Sequence, residues 1–256
     1  MDVDRIKTYG WLALRLLGIV AVIGGVLVLG LLGWQWQVSV KMERIAVTGV
    51  QHAPPDTVRH LARVDSGTVM ETIDAALVKD RVTRHPWVER VDVTKKRARR
   101  TLHLSIIERI PAALVIGGRG DPAYYLDQNG YAMPLPDSTG YDVPLVRGLD
   151  AEYHPVRQIA PASLRRAIGA LRSTGTDALV AELALQPDSS VRFLTAPIGG
   201  HGALPVQMGS GNFTAKLRQL QAFAEQVLAR RKNDEIGEID LRFDGQIVTR
   251  AQPLDG

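Results

Sequence analysis

From Leu16 to Val40 the chain runs 25 residues without a charged side chain, and no other charge-free stretch is as long or as apolar. A helix rises about 1.5 Å per residue, so the run reaches roughly 37 Å, enough to cross a hydrocarbon core of about 30 Å with some tilt. Twelve Leu, Ile and Val residues between Leu16 and Leu32 each favour insertion by about 0.3 to 0.6 kcal/mol, together roughly 4 to 7 kcal/mol. Trp11 precedes the run and Trp34 and Trp36 close it, where amphipathic rings prefer the headgroup level. A cleaved signal peptide has a shorter apolar region followed by a small-x-small site. Gly33, Trp34, Gln35 and Trp36 offer no such site, so the run reads as an uncleaved membrane helix over 16–40 behind a short tail, 1–15.

Arg5, Lys7 and Arg15 precede the span, and the positive-inside rule counts them more heavily than Asp2 and Asp4. The tail is expected in the cytoplasm. Lys41 and Arg44 oppose this, but long domains translocate largely regardless of charge. Residues 41–256 are then extracytoplasmic and, with no cysteine in the chain, must fold by burying an apolar core. The net charge of +4 suits anionic lipid or a wall polymer as an electrostatic neighbour, because nucleic acid is not expected outside the cytoplasm.

Ile45 and Val47 mark a first strand that closes at Gly49. Val58, Leu61 and Ala62, after Pro54 and Pro55, have helical spacing, as do Ile73, Ala76 and Leu77 before Pro86 stops a second helix near His85. Val91 and Val93, then Leu102, Leu104 and Ile106, alternate with polar residues as half-buried strands do. Between them Lys95, Lys96, Arg97, Ala98, Arg99 and Arg100 form a basic hairpin tip, which charge runs usually keep solvated.

Further on, Asn129-Gly130 suits a hairpin turn between Tyr124–Asp127 and Tyr131–Met133. Leu164, Ala167, Ile168 and Leu171 make one apolar helix face between Pro161 and Gly175. Val180–Leu185 and Val191–Thr195 flank a longer turn at 186–190, and Leu204–Met208 adds a strand. Asn212 is a candidate N-cap for a helix carrying Phe213, Leu217, Leu220, Ala224 and Leu228, with Arg230, Arg231 and Lys232 at its end. Glu238–Phe243 and Gln246–Arg250 then flank Asp244-Gly245, a tight-turn pair.

The series Pro86, Trp87, Val88, Val91, Val93, Leu102, Leu104, Ile106, Glu108, Arg109, Pro111 and Ala112 resembles the POTRA domain of the bacterial cell-division proteins FtsQ/DivIB. The likeness continues through Leu126, Asp127 and Gly130, Pro144 to Gly148, Val206 to Gly209, Lys216 to Leu220, and Ile239, Asp240, Leu241, Arg242 and Phe243. Ala98-Arg99 departs from the Trp-Pro that the family often has at the hairpin tip. The resemblance implies an α+β fold: one transmembrane helix, a POTRA-like β-α-α-β-β domain over 41–111, a mainly antiparallel β domain with packed helices over 112–251, and a tail, 252–256. It also implies a bacterial inner-membrane protein of the division septum in FtsZ-dependent cytokinesis. There it would connect early division proteins to septal wall synthesis by binding the bitopic proteins FtsL and FtsB (DivIC-like).

No reaction centre is legible. The six histidines lack the spacing that places two ligands on a helix face, and neither G-x-S-x-G nor S-x-x-K occurs. Gly209-Ser210-Gly211 is half of a dinucleotide loop with Thr214 at the third glycine position, and Gly199 to Gly202 reads as a flexible loop. The expectation is a non-catalytic assembly protein without cofactor, metal or small-molecule substrate. A POTRA transport component would need a barrel behind the domain, and a wall hydrolase would need catalytic groups. If Gln246 to Arg250 forms the last strand of a sheet, its free edge can pair with a partner segment. Phe243, Gln246, Ile247, Val248, Thr249 and Arg250 are the expected contact residues, unless the chain's own tail caps that edge. Lys95, Lys96, Arg97, Arg99 and Arg100 are the expected second surface, toward anionic headgroups or another division protein.

Overall fold

The computed structural model describes residues 3–38, 40–137, 140–209, 211–230, 236–243 and 245–251. The first element, helix α1 (Val3–Val38), is longer than the charge-free run at its N-terminal end and two residues shorter at the other. Its stretch Arg15–Trp34 is long and apolar enough to cross a membrane, and none of that stretch is buried in the protein. The guanidinium of Arg15 lies 3.5 Å from the ring centre of Trp11, a cation–π contact at the edge of the apolar stretch.

The chain divides into two compact units. Met1–Thr48, Pro55–Arg81 and Asp92–Ser105 form the first, and Gly49–Pro54, Val82–Val91 and Ile106–Gly256 form the second. After α1 come strand β1 (Arg44–Thr48), helix α2 (Pro55–Ala62), helix α3 (Ala75–Val82), and strands β2 (Val88–Lys96) and β3 (Thr101–Glu108). The order is the expected β-α-α-β-β. β3 lies at the centre of a three-stranded sheet, parallel to β1, with Val47 opposite Leu104. Proline opens α2, and the Asp74 carboxylate caps α3 by accepting from the Ala76 and Leu77 N–H groups at 2.9 and 3.1 Å. Val58, Ala62, Met70, Leu102 and Leu104 are fully buried in this unit. α3 stops at Val82, short of the expected His85: the His85 N–H turns back to the Val82 carbonyl, because Pro86 disfavours helical backbone just before it.

The second unit is built on a nine-stranded sheet. Its strands are β4 (Ala113–Ile116), β5 (Pro122–Leu126), β6 (Ala132–Met133), β7 (Leu145–Arg147), β8 (Val180–Leu185), β9 (Val191–Thr195), β10 (Pro205–Gln207), β11 (Ile236–Asp240) and β12 (Val248–Ala251). Their order is β12-β11-β10-β9-β8-β7-β4-β5-β6. The pairings are mostly antiparallel, as expected; β7 pairs parallel with β4 and β8, and β10 with β11.

Register aligns one row of buried side chains across seven strands: Tyr124, Val115, Val146, Leu183, Phe193, Val206 and Ile239. Helices α4 (Ala162–Thr174) and α5 (Phe213–Phe223) share the core with that row through Leu164, Ile168, Leu171, Leu217 and Leu220. Phe213 stacks on Phe193 with ring centres 5.9 Å apart. α4 ends at Gly175, whose left-handed backbone brings its N–H to the Leu171 carbonyl. Asn212 caps α5 as the sequence suggested, its side chain accepting from Ala215 N–H at 3.3 Å. The last turn widens into a π-helix, Ala224–Leu228.

Candidate functional site

The buried row ends at β11. In β12 the residue opposite Ile239 is Thr249, which is exposed, as are Val248, Arg250 and Ala251. The core therefore reaches the penultimate strand and no farther, and β12 is held mainly by its ladder to β11. β12 also stands at the end of the strand order, so its outer edge has no strand beside it among the described residues.

Polar groups fix β12 in place. The Arg250 guanidinium donates to Glu238 Oε2 at 2.9 Å and to Asp240 Oδ2 at 3.5 Å. Gln207 of β10 donates to Glu238 Oε1 at 2.7 Å. Asp240, with no exposed surface of its own, accepts from the Arg242 side chain at 2.6 and 2.9 Å and from its backbone N–H at 3.0 Å. These bonds to Arg242 hold the Asp240 carboxyl at a pKa of about 2, against the smaller opposing effect of desolvation. Arg242 also lines a cleft of about 690 Å³ with Arg166, Asp188, Arg192, Gln207 and Phe213.

The expected contact residues divide. Val248, Thr249 and Arg250 lie on β12, whereas Phe243 and Gln246 are exposed on the loop before it, with Ile247 partly packed on the core. The strand starts two residues later than expected and runs to Ala251: the Gln246 N–H bonds the Phe243 carbonyl at 3.3 Å, as in a tight turn, but the ladder to β11 begins only where Val248 stands opposite Asp240. Asp244, Ser210, Arg231, Lys232 and the tail 252–256 lie outside the described residues.

The second expected surface closes the β2–β3 hairpin. Lys95 and Lys96 end β2, Arg97–Arg99 make a single 3-10 turn, and Arg100 takes left-handed backbone, φ 48°. Arg97 pairs with Glu71 at 2.6 Å and Arg100 with Glu43 at 2.7 Å, so two of the five cations have carboxylate partners.

A half-buried polar cluster in the second unit has no signal in the local sequence pattern. Glu108 accepts from the backbone N–H groups of Gln51, His52 and Ala53 at 2.8 to 3.1 Å. The His52 ring lies 3.0 Å from Glu108 and 2.7 Å from the Tyr141 hydroxyl, and stacks on Trp87 at 4.3 Å. Burial pushes the Glu108 carboxyl upward, but the combined hydrogen bonds outweigh it and hold the group below the ordinary range. His85 is held below its usual value by burial, which the charge on Glu108 opposes. The cluster clamps the loop at 49–54. Trp87 and Glu108 belong to the series that carries the family resemblance, but positions 52, 87, 108 and 141 share no local periodicity, and only the fold brings them together.

Among the described residues no group of three or more His, Cys, Asp or Glu is placed to hold a metal ion. What the geometry offers is surfaces: an edge strand, an arginine-lined cleft and a basic hairpin tip.

Comparison with known proteins gives the same direction. The family model "POTRA domain, FtsQ-type" matches residues 40–109, and "FtsQ/DivIB, C-terminal related" matches residues 110–250. Cell division protein FtsQ of Salinibacter ruber is 54% identical over 259 aligned residues, covering all of both chains. Its counterpart in Rhodothermus marinus is 38% identical over 89% of this chain and 85% of its own, and that of Geotalea daltonii 28% identical over 82% and 75%. With both segments and the full length matched, the chain belongs to the FtsQ/DivIB family of cell-division proteins.

Proposed function

We propose that this chain is a non-catalytic, single-pass assembly protein of the divisome, and that it captures an FtsB/FtsL-type bitopic partner by strand addition along β12. The observation that carries this reading is the position of β12: last in the strand order, beyond the buried row, with four exposed residues. An added strand would satisfy the outward N–H and C=O groups of β12, and Val248, Thr249 and Arg250 would supply alternate side-chain contacts. Phe243 and Gln246 on the preceding loop would extend that contact surface. Arg192 and Arg242 in the neighbouring cleft favour a partner segment carrying carboxylates.

α1 places this surface. Arg5, Lys7 and Arg15 before the apolar stretch support a cytoplasmic N-terminus, with the two folded units on the outer side of the bacterial inner membrane. In that arrangement the protein gathers early division components and septal wall synthesis at the septum, and the chemistry belongs to its partners.

Proline scanning tests the edge. Along an antiparallel ladder successive residues point their N–H groups alternately to the two sides. Of Val248→Pro and Thr249→Pro, one therefore disturbs the β11 ladder and the other removes a donor from the free edge alone. The second variant should keep its fold, by circular dichroism, and lose affinity for the partner's extracytoplasmic segment. Wild-type affinity in both folded variants would refute strand addition.

A further inference from the structure

The basic hairpin tip is tied to the chain immediately after the membrane helix. The Glu43 N–H bonds the Arg100 carbonyl at 2.8 Å, Arg44 Nε donates to Thr101 Oγ1 at 3.2 Å, and the Met42 N–H bonds the Thr68 carbonyl at 2.8 Å. All of these lie in the first unit. α1 ends at Val38, so Glu43 is five residues away and, even fully extended, those residues reach at most about 18 Å. The apolar stretch itself ends at Trp34, which leaves the last helical turn to cross the headgroups. The tip is thereby held near the membrane whatever the tilt of the helix.

Segments 41–44, 65–71 and 95–101, which these contacts bring together, hold seven lysines and arginines against three carboxylates, Glu43, Asp65 and Glu71. That excess equals the net charge of the whole chain, +4. Lys95, Lys96 and Arg99 have no carboxylate partner among the described residues. From Lys95 to Arg100 the one uncharged residue is Ala98, so the tip lacks the aromatic and apolar anchors on which a protein interface centres. A diffuse anionic plane suits it better.

We infer that the hairpin tip is a docking surface for anionic phospholipid headgroups of the leaflet at the C-terminal end of α1. Lys95, Lys96 and Arg99 supply the attraction, while Glu71 and Glu43 hold Arg97 and Arg100 in place. Docking fixes the height and tilt of the first unit above the bilayer. It depends on α1 spanning the membrane and not on the use made of β12.

The chain has no cysteine, so Ala98→Cys in the full-length protein gives one labelling site for a fluorophore. Quenching by headgroup-labelled lipid is read in nanodiscs of phosphatidylglycerol with phosphatidylcholine and in nanodiscs of phosphatidylcholine alone. Strong quenching is expected in the anionic nanodiscs only, fading between about 0.01 and 1 M salt as the Debye length falls from roughly 30 to 3 Å. Replacing Lys95, Lys96 and Arg99 together by Gln, which breaks no ion pair in the fold, should lower the docked-to-undocked ratio about a hundredfold, at about fivefold per cation. The variant Lys95→Arg, Lys96→Arg, Arg99→Lys should retain docking. Equal quenching in the two nanodiscs, or quenching untouched by the Gln variant, would overturn the inference. So would quenching that appears only when a second division protein is added, because the occupant would then be a protein.

Discussion

Replacing Asp240 by asparagine removes the charge on which the β11–β12 corner converges while keeping the shape of the side chain. The fall of its pKa from 3.8 to about 2 corresponds to roughly 2.5 kcal/mol of preference for the ionised, folded carboxylate. Asp240 is covered by its own arginines rather than by the depth of the core, and the side chains of Arg242 and Arg250 are 48% and 57% exposed. Solvent screening reduces the contribution to about 1 to 2 kcal/mol. For the folded part of this chain such a loss lowers the Tm by about 2 to 8 °C. Because the folded carboxyl is more acidic than the unfolded one, its contribution is complete above about pH 4 and is lost as the pH falls through about 2. Thermal unfolding of the full chain in detergent, followed by circular dichroism at neutral pH and at about pH 2, reads both effects. Asp240→Asn should melt lower at neutral pH and lose less stability than the wild type on acidification. Equal melting at neutral pH, or the same acid sensitivity in both proteins, would refute this account of the corner.

Three other substitutions probe the second unit. Glu108→Gln leaves one oxygen to serve the Gln51, His52 and Ala53 N–H groups, and should cost about 1 to 3 kcal/mol. Since Glu108 is held below the ordinary carboxylate range, its contribution is present above that range and lost below it, so melting of the Gln variant and the wild type should converge in acid. Gly199→Ala puts a Cβ 2.1 Å from the Leu228 carbonyl oxygen at φ 62°. Left-handed backbone alone costs about 1 to 2 kcal/mol, and the close approach adds to it, so the Tm should fall clearly. Gly118→Ala, with open space around it, should melt as the wild type does.

Local signals are legible in the sequence where the chain makes its own neighbours. Val58 and Ala62, Leu164 to Leu171, and the β8–β9 pair around Pro187-Asp188 lie where periodicity and turn residues put them. Non-local pairing was not legible. Ala113–Ile116, which follows Pro111, is a short apolar run without alternation, and only the sheet shows it as β4, parallel to β7. The last strand starts at Val248 rather than Gln246: the Gln246 N–H bonds the Phe243 carbonyl as a tight turn does, but pairing with β11 begins only at Asp240 opposite Val248. Of the candidate contacts, Val248 to Arg250 are legible because a strand is expected after the Asp244-Gly245 turn pair. The anchoring of Arg250 by Glu238 and Asp240 depends on register, and register is decided by the buried row from Tyr124 to Ile239 rather than by any residue near the edge.

The central claim is that β12 receives a strand. Residue-resolved amide hydrogen exchange of the full chain, alone and with the extracytoplasmic segment of an FtsB/FtsL-type partner, tests it most directly. The account predicts that binding slows exchange at alternate amides of Val248–Ala251, those facing away from β11, with little change at β6 on the opposite edge of the sheet. Tight binding that leaves the β12 amides exchanging at their free rate, with protection elsewhere, would contradict it.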